Sequence, residues 1–256
     1  MPLLLSALLD NWRAPPPDET RRLRFLTVQP FAHRGLHGGR VIENSRAAFR
    51  AGMAQGHGIE CDVQVSKDGT AYVFHDYDLD RLTDASGKVA DKHDAELDAI
   101  RLKGTDETIP RLTEMLALVA GKVPLLIEIK SEGRRVHALC LSVRRGLEGY
   151  AGPAAIMSFN PYVASWFNHN GAHIIRGLVV TEEGKQGLRG RVERHLSLWK
   201  ARPDFLAYDI RDLPSEFAES QRVRGLPLLT WTVRTADQEA VAFNAADEVI
   251  YERVAH

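Results

Sequence analysis

The sequence is poor in cysteine, in net charge and in long apolar runs, and each shortage excludes a class of protein. The 256 residues include two cysteines, Cys61 and Cys140, which are too few for a disulfide framework and favour a reducing compartment. Lys and Arg total 33 against 34 Asp and Glu, which gives a formal charge of −1. The sequence therefore lacks the excess of positive charge that is typical of proteins that bind nucleic acid or anionic membranes. We therefore expect a cytoplasmic protein whose partner is a small molecule.

The most apolar stretch lies at the amino terminus and is short. The run from Leu3 to Leu9 has no Lys or Arg before it and no small-residue cleavage site after it, which argues against a signal peptide. It is also too short to span a bilayer. Pro15 to Pro17 end the run, because proline lacks an amide donor and clashes with a preceding helical turn. We predict an amphipathic helix over residues 3–12, within a lead-in segment 1–29 that packs on the main domain, 30–256.

Short apolar runs alternate with segments of helical period along the main domain, which indicates parallel strands covered by helices. Eight such units in a chain of this length predict an α/β fold, a (β/α)8 barrel. The alternative is a doubly wound open sheet, which would need a Gly-rich phosphate turn after the first strand. His33–Arg34–Gly35 is not of that form. The polar, poorly periodic residues from about 77 to 108 predict a small insertion with one or two short helices.

One pair of apolar runs breaks the alternation. Gly58–Val65 and Ala71–His75 flank an Asp68–Gly69 dipeptide, which is a strong signal for an antiparallel hairpin. A two-residue turn at this dipeptide would bring Asp62 opposite His75, with their Cβ atoms about 5 Å apart. The hairpin therefore predicts that a histidine lies beside an acidic residue, and that the insertion follows this hairpin.

Ionisable residues gather at the ends of the predicted strands, where the loops of such a barrel form active sites. Glu60 and Asp62 are two residues apart on one strand, so both carboxylates face the same side. Such neighbours repel, and one hard divalent cation, Mg²⁺ or Ca²⁺, would relieve the repulsion. Glu128 on a later strand is a candidate third ligand, and Lys130 adds a positive charge beside it. Each pair alone is usually a solvated face or a surface ion pair, and only their joint placement favours a site.

Two histidines, His33 and His75, are expected at the same strand ends. A pair of histidines in which one accepts a proton and the other donates one suits acid–base catalysis near neutral pH. Arg34, Lys130 and a metal would stabilise a phosphate-centred transition state. Trp231 ends the penultimate strand and is either a core residue or an apolar wall of the pocket.

Eleven short motifs stand in a fixed order along the chain: Phe31–Gly35, Glu43–Ser45, Ala48–Phe49, Glu60–Val63, Ser66–Gly69, Val73–Asp76, Leu79–Thr83, Ile109–Leu112, Ile127–Lys130, Ser158–Asn160 and Trp231–Val233. With these motifs the sequence resembles the glycerophosphodiester phosphodiesterase family, over about residues 30 to 254. The resemblance implies a TIM-type barrel that hydrolyses a glycerophosphodiester to an alcohol and a glycerol phosphate with a divalent cation. Position by position, it assigns acid–base catalysis to His33 and His75, the metal to Glu60, Asp62 and Glu128, phosphate oxygens to Arg34 and Lys130, and support of the first loop to Asn44.

Two other functions remain open at this point. A relative that cleaves lysophospholipid or sphingolipid head groups would need an apolar approach surface at the barrel mouth, which the charged insertion does not suggest. A catalytically silent barrel used for binding would have lost a histidine or a metal ligand, and none is lost.

The match to the family weakens toward the carboxyl end. Arg234 stands where the family often has Asn, and Tyr251–Glu252 stand where it often has Thr-Asp. These departures bear on the substrate pocket and not on the metal ligands. Because five residues follow Tyr251, we expect no final helix. The leucines and Trp12 of residues 3–12 are then expected to cover the apolar gap between the first and seventh helices.

Overall fold

The computed structural model describes residues 2–17 and 20–253, and this part of the chain contains nine β-strands and ten α-helices. The strands are β1 Phe31–Ala32, β2 Gly58–Val65, β3 Ala71–Val73, β4 Leu125–Ile129, β5 Ala154–Ser158, β6 Ile175–Val180, β7 Phe205–Asp209, β8 Leu228–Val233 and β9 Glu248–Tyr251. The helices are α1 Pro2–Arg13, α2 Thr20–Leu23, α3 Arg46–Ala54, α4 Asp94–Ala99, α5 Leu112–Val119, α6 His137–Leu147, α7 Pro161–Asn170, α8 Leu188–Ala201, α9 Glu216–Val223 and α10 Ala236–Ala245.

The strands form one sheet in the order β1-β9-β8-β7-β6-β5-β4-β2-β3, and β1 also pairs with β2. This last pairing closes eight parallel strands into a barrel, with helices between successive strands and β3 attached outside the ring. The predicted (β/α)8 barrel is confirmed, and the open-sheet alternative is wrong. All five residues of β4 are buried, as expected for a strand with a barrel interior on one side and helices on the other.

The hairpin forms, but its register differs from the predicted one. β2 and β3 pair antiparallel with Val63 opposite Val73, and the amide of Phe74, not that of His75, donates to the carbonyl of Asp62 at 3.0 Å. The difference comes from the loop, which holds three residues between Ser66 and Thr70, and Gly69 takes a φ of 89°. A three-residue loop with glycine in the left-handed region shifts the pairing by one position.

The insertion carries its own small core. Residues 77–108 contain α4 and a 3₁₀ turn at Val89–Asp91, in line with the expected short helices. Apolar side chains from this segment pack with side chains of the hairpin and of the segment after the insertion, in a cluster of Tyr72, Phe74, Leu79, Val89, Leu97, Leu102 and Ile109. Burial of this cluster holds the insertion close to the strand ends of the hairpin.

None of the helices in the described residues is long and apolar enough to cross a membrane.

The chain divides into two compact units. One unit comprises residues 1–30 and 155–251, and the other comprises 31–154 and 252–256. The predicted boundary between a lead-in segment 1–29 and a domain 30–256 stays a prediction.

The amino-terminal helix docks through the polar side chain of Asp10. Asp10 in α1 is 1% exposed, and its carboxylate accepts hydrogen bonds from Trp199 Nε1 at 2.7 Å and Gln221 Nε2 at 2.9 Å, with His195 Nδ1 at 2.9 Å. These partners lie on α8 and α9, the helices after the fifth and sixth barrel strands, so the expected seat between the first and seventh helices is wrong.

The large apolar side chains of α1 that the structure describes are exposed. Leu8, Leu9 and Trp12 are exposed, against the expectation that they would be buried. The side chains of Leu3, Leu4 and Leu5, which were part of the same expectation, lie outside the described residues.

Replacing Asp10 with alanine should lower the free energy of unfolding by about 3 kcal/mol, because it leaves buried donors unsatisfied. Burial alone would raise the pKa of Asp10, but the hydrogen bonds from His195, Gln221 and Trp199 hold it below its usual value of 3.8. The stabilisation should therefore be complete at neutral pH and disappear as the pH falls below about 4.

Urea unfolding at pH 7 and at acid pH, with Asp10→Ala compared with the parent, checks this prediction. Asp106→Ala is the matched control, since that side chain is 97% exposed and its loss should change stability by less than about 0.5 kcal/mol. An Asp10→Ala protein as stable as the control at pH 7 would contradict the assigned role.

Candidate active site

The first part of the candidate site follows β1 directly. His33 and Arg34 come after Phe31–Ala32, and the chain then turns sharply, with φ of 57° at Arg34 and 77° at Gly35. A Cβ on Gly35 would lie 2.7 Å from the backbone of Ala48, so only glycine lets this loop pack closely on α3. The turn thereby fixes the positions of the His33 and Arg34 side chains relative to the end of β1.

Three carboxylates meet at the ends of β2 and β4. Asp62 and Glu128 are direct partners in the parallel register, and Glu60 lies two residues earlier on the same face as Asp62. Glu60 and Asp62 are each 1% exposed, and Glu128 is 7% exposed. One oxygen of each lies within 4.8 Å of one oxygen of the other two, which makes these residues a group that could hold a metal ion.

Two cations partly balance this acidic group. Lys130 Nζ lies 2.5 Å from a Glu128 oxygen and 3.0 Å from Asp62 Oδ1, while Arg34 Nε lies 3.2 Å from Asp62 Oδ2. The backbone amide of Arg34 donates to Glu60 Oε2 at 2.9 Å. The other Glu60 oxygen, Oε1, is buried and has no hydrogen-bond partner among the described residues. An orphaned oxygen in an all-oxygen donor set fits a hard divalent cation such as Mg²⁺ or Ca²⁺.

The carboxylates differ in their electrostatic state. Burial, with Asp62 and Glu128 nearby, raises the pKa of Glu60 well above its usual value, and burial also raises the pKa of Glu128. Burial opposes ionisation of Asp62 as well, but Lys130 and Arg34 hold its pKa well below the usual value. The two cations therefore lower the pKa of Asp62 but do not offset the raised pKa values of Glu60 and Glu128, and a divalent ion would supply further positive charge.

Each of the two histidines has a carboxylate at the same ring nitrogen. His33 Nδ1 lies 3.1 Å from Glu252 Oε2, and His75 Nδ1 lies 2.6 Å from Asp76 Oδ1. Burial is the main cause that lowers the pKa of both imidazoles. A proton on Nδ1 would donate to the carboxylate and leave Nε2 as an acceptor, which is the tautomer that a general base needs.

A further polar network holds the loop that follows β1. Asn44 has a φ of 57°, its Nδ2 donates to Asp62 Oδ2 at 2.9 Å, and its Oδ1 accepts from the Asp62 amide at 3.3 Å. Glu43 accepts from Arg34 at 2.8 Å and from Arg81, and Arg81 also binds Asp76. Arg81 belongs to the insertion. This network therefore connects the insertion to the Arg34 loop and to Asp76, the carboxylate partner of His75.

The structure brings together His33, His75, Arg34, Lys130, Glu60, Asp62, Glu128 and Asn44 as the sequence predicts, within the unit of residues 31–154 and 252–256. Trp231 lies in the other unit, where its ring packs edge-on against Phe159 at 5.3 Å between centroids and its Nε1 donates to the carbonyl of Ala207. Its role as a pocket wall stays a prediction.

Sequence reasoning missed Glu252, Glu43 and Arg81 as parts of this arrangement. The signal for Glu252 was its position one residue after the last strand, which is the rule that identified the other acidic residues. In the sequence it stands out only as a departure from the family pattern. Together with His33 and His37, it forms a second group of side chains whose ligand atoms lie within 4.8 Å of one another.

A closed (β/α)8 barrel that gathers acids, histidines and cations at the carboxyl ends of its strands belongs to the class of barrel enzymes. Within that class, residues 33–254 match the family described as the glycerophosphoryl diester phosphodiesterase family. The chain belongs to this family, and the protein is accordingly a phosphoric diester hydrolase.

Relatives of this chain carry the same description. The glycerophosphodiester phosphodiesterase of Caldanaerobacter subterraneus subsp. tengcongensis is 32% identical over 231 residues, which cover 86% of this chain and 91% of that protein. The solved glycerophosphodiester phosphodiesterase of Thermotoga maritima is 26% identical, with a TM-score of 0.69 over 86% of this chain and 92% of that one.

A third neighbour supports the fold. An Oleispira antarctica phosphodiesterase, solved with the product sn-glycerol-3-phosphate, has a TM-score of 0.76 at 23% identity and covers 88% of this chain and 93% of that one.

Replacing Asn44 with alanine should destabilise the protein by about 3 kcal/mol, because a buried hydrogen bond to a charged group is lost and alanine is strained at positive φ. Asn44→Gly removes the same hydrogen bonds without that strain. Its loss of unfolding free energy should therefore be smaller than that of Asn44→Ala by about 1 kcal/mol. Urea unfolding in excess chelator measures both values. Stability of both variants equal to that of the parent would contradict the role of this side chain.

Proposed function

We propose that this phosphodiesterase hydrolyses glycerophosphodiesters to an alcohol and glycerol phosphate, with one divalent cation and a pair of histidines. The observation that carries the proposal is the buried group Glu60, Asp62 and Glu128, which lies in the same unit as two histidines that each have a carboxylate partner. The glycerol phosphate product is inferred from the family and from the neighbour from Oleispira antarctica, whose structure holds that compound.

Glu60, Asp62 and Glu128 would hold the cation, Mg²⁺ or Ca²⁺. When bound, the cation supplies positive charge that stabilises the charge developing on the phosphate oxygens. Three carboxylate oxygens are fewer than the six or more that these ions prefer, so water or substrate oxygens would supply the other ligands. The all-oxygen ligands and the orphaned Glu60 Oε1 support this assignment.

Arg34 and Lys130 would bind the non-bridging phosphate oxygens. Both already lie against Asp62, at 3.2 and 3.0 Å, and the side chains are 17% and 14% exposed. Cations held this way are positioned before substrate arrives, which lowers the cost of organising the transition state.

His33 and His75 would act as general base and general acid. One imidazole takes the proton of the attacking hydroxyl, which belongs to water or to the glycerol group of the substrate. Attack by the glycerol hydroxyl would first give a cyclic phosphate, which water would then hydrolyse to glycerol phosphate. The other gives a proton to the oxygen of the leaving alcohol. Glu252 and Asp76 would orient the two rings, since each contacts Nδ1 and leaves Nε2 for the proton transfer.

Removing the divalent ion should abolish hydrolysis of glycerophosphodiesters, and adding Mg²⁺ or Ca²⁺ should restore it. Release of glycerol phosphate after chelation, followed by a head-group screen with each metal, measures the effect. Glu60→Gln, Asp62→Asn and Glu128→Gln should each lose activity that added metal does not restore, whereas Glu148→Gln, a change at an exposed side chain, should behave like the parent. Full activity in excess chelator would refute the metal assignment.

His33→Ala and His75→Ala should each lower kcat by about 10²- to 10⁴-fold, because each removes one proton-transfer group. His93→Ala is the control, since its half-exposed ring pairs with Asp68 outside this group. Circular dichroism checks that the variants fold. Near-normal turnover in both site variants would overturn the acid–base mechanism.

A further inference from the structure

Exposed large apolar side chains concentrate on two packed helices, α1 and α8. Leu8 and Trp12 of α1 are 66% and 69% exposed, and Leu188, Val192 and Leu196 of α8 are 79%, 50% and 54% exposed. A single exposed leucine needs no explanation, but a contiguous group of this kind marks an interaction surface.

In the part of α1 whose side chains the structure describes, residues 7–13, the polar Asp10 is buried and three large apolar side chains are exposed. Asp10 points inward onto α8 and α9, while Leu8, Leu9 and Trp12 remain exposed. Leu8 and Trp12 are one turn apart, so they share one side of the helix. The packing of α1 on its own unit therefore leaves Leu8, Leu9 and Trp12 exposed to solvent.

The apolar stripe of α8 continues this face. Leu188, Val192 and Leu196 are spaced by four residues and line one side of the helix. His195 and Trp199, which contact Asp10, lie on the neighbouring positions of the same side.

Arg13 bridges the two helices. Its guanidinium lies 4.3 Å from the ring centroid of Trp12 and 6.0 Å from that of Trp199. The exposed face of α1 and the stripe of α8 are therefore neighbours, and we call them together the α1–α8 surface.

The charge of the α1–α8 surface is positive, although the whole chain carries a net charge of −1. Its exposed cations are Arg13, Arg189, Arg191 and Lys200, of which Arg191 lies 3.8 Å from the exposed Glu216 of α9. Glu193 is the exposed acid of α8, and it pairs with Lys185 at 2.5 Å. Apolar side chains that include leucine and tryptophan, bordered by arginine and lysine, are typical of helices that lie in the headgroup region of a bilayer.

We propose that the α1–α8 surface docks the protein onto membranes that contain anionic phospholipids. The 12 residues of α1 are too few to span a bilayer, so the helix lies on the membrane and does not cross it. Docking adds a membrane-binding function to the hydrolase and does not depend on its proposed mechanism. The net charge of −1 does not reveal this cationic surface, because acidic residues elsewhere in the chain balance its cations.

A second copy of the chain is a poorer occupant for this surface. A two-fold interface buries two copies of the same patch, so it doubles the number of cations in the interface without bringing in acids from another surface. Anionic head groups instead complement these cations while the acyl region receives the apolar side chains.

Co-sedimentation of the full chain with phosphatidylcholine vesicles, with and without phosphatidylglycerol, tests the proposal. We expect binding to the anionic vesicles that weakens as salt is raised. Leu8→Ser with Trp12→Ser, and separately Leu188→Ser with Val192→Ser, should each reduce partitioning by at least roughly tenfold. Arg13→Gln with Arg189→Gln should remove the preference for anionic vesicles.

Phe243→Ser is the matched control, because Phe243 is 87% exposed on α10, away from the α1–α8 surface, and its loss should leave partitioning unchanged. Turnover of a water-soluble glycerophosphodiester and the melting temperature should match the parent in every variant, which shows that folding is intact. Equal partitioning of the parent and the surface variants, or no binding to either vesicle, overturns the proposal. Dimerisation in light scattering that the same variants abolish, without vesicle binding, would assign the surface to a second copy instead.

Discussion

The candidate site depends on the burial of three carboxylates at the ends of two neighbouring strands. Glu60, Asp62 and Glu128 are almost fully removed from water, and like charges this close raise one another's pKa values. An arrangement of this kind is costly unless positive charge is supplied from elsewhere. This free-energy cost explains why the surrounding loops place cations and hydrogen-bond donors beside the carboxylates.

Each loop around the carboxylates supplies part of the compensation. Lys130 follows β4 directly, and Arg34 follows β1, where a left-handed turn aims it at Asp62. Asn44 pairs with both the side chain and the backbone of Asp62. These groups keep Asp62 ionised, but they leave Glu60 and Glu128 with raised pKa values. The remaining deficit of positive charge is what makes the site suited to a divalent cation and, through it, to phosphate chemistry.

Local sequence patterns were enough for the barrel and for the acidic group. The period of two in a strand places Glu60 and Asp62 on one face whatever the rest of the chain does. The hairpin register could not be read in the same way, because Asp-Gly fits both a two-residue turn and a three-residue loop with Gly69 left-handed. The strand-end position of Glu252 fits the rule that identified the other acids, but its pairing with His33 could not be read locally because 219 residues separate the two. The docking face of α1 was misjudged because Asp10 finds its partners more than 180 residues away.

Direct titration of metal-free protein with Mg²⁺ or Ca²⁺ in a calorimeter is the most direct test of this account. One ion should bind per chain, and Glu128→Gln should weaken that binding severely while the barrel remains folded by circular dichroism. Absence of any bound ion in the parent, confirmed by equilibrium dialysis, would contradict the claim that the buried carboxylates are built around a cation. Undiminished binding in Glu128→Gln would contradict it equally.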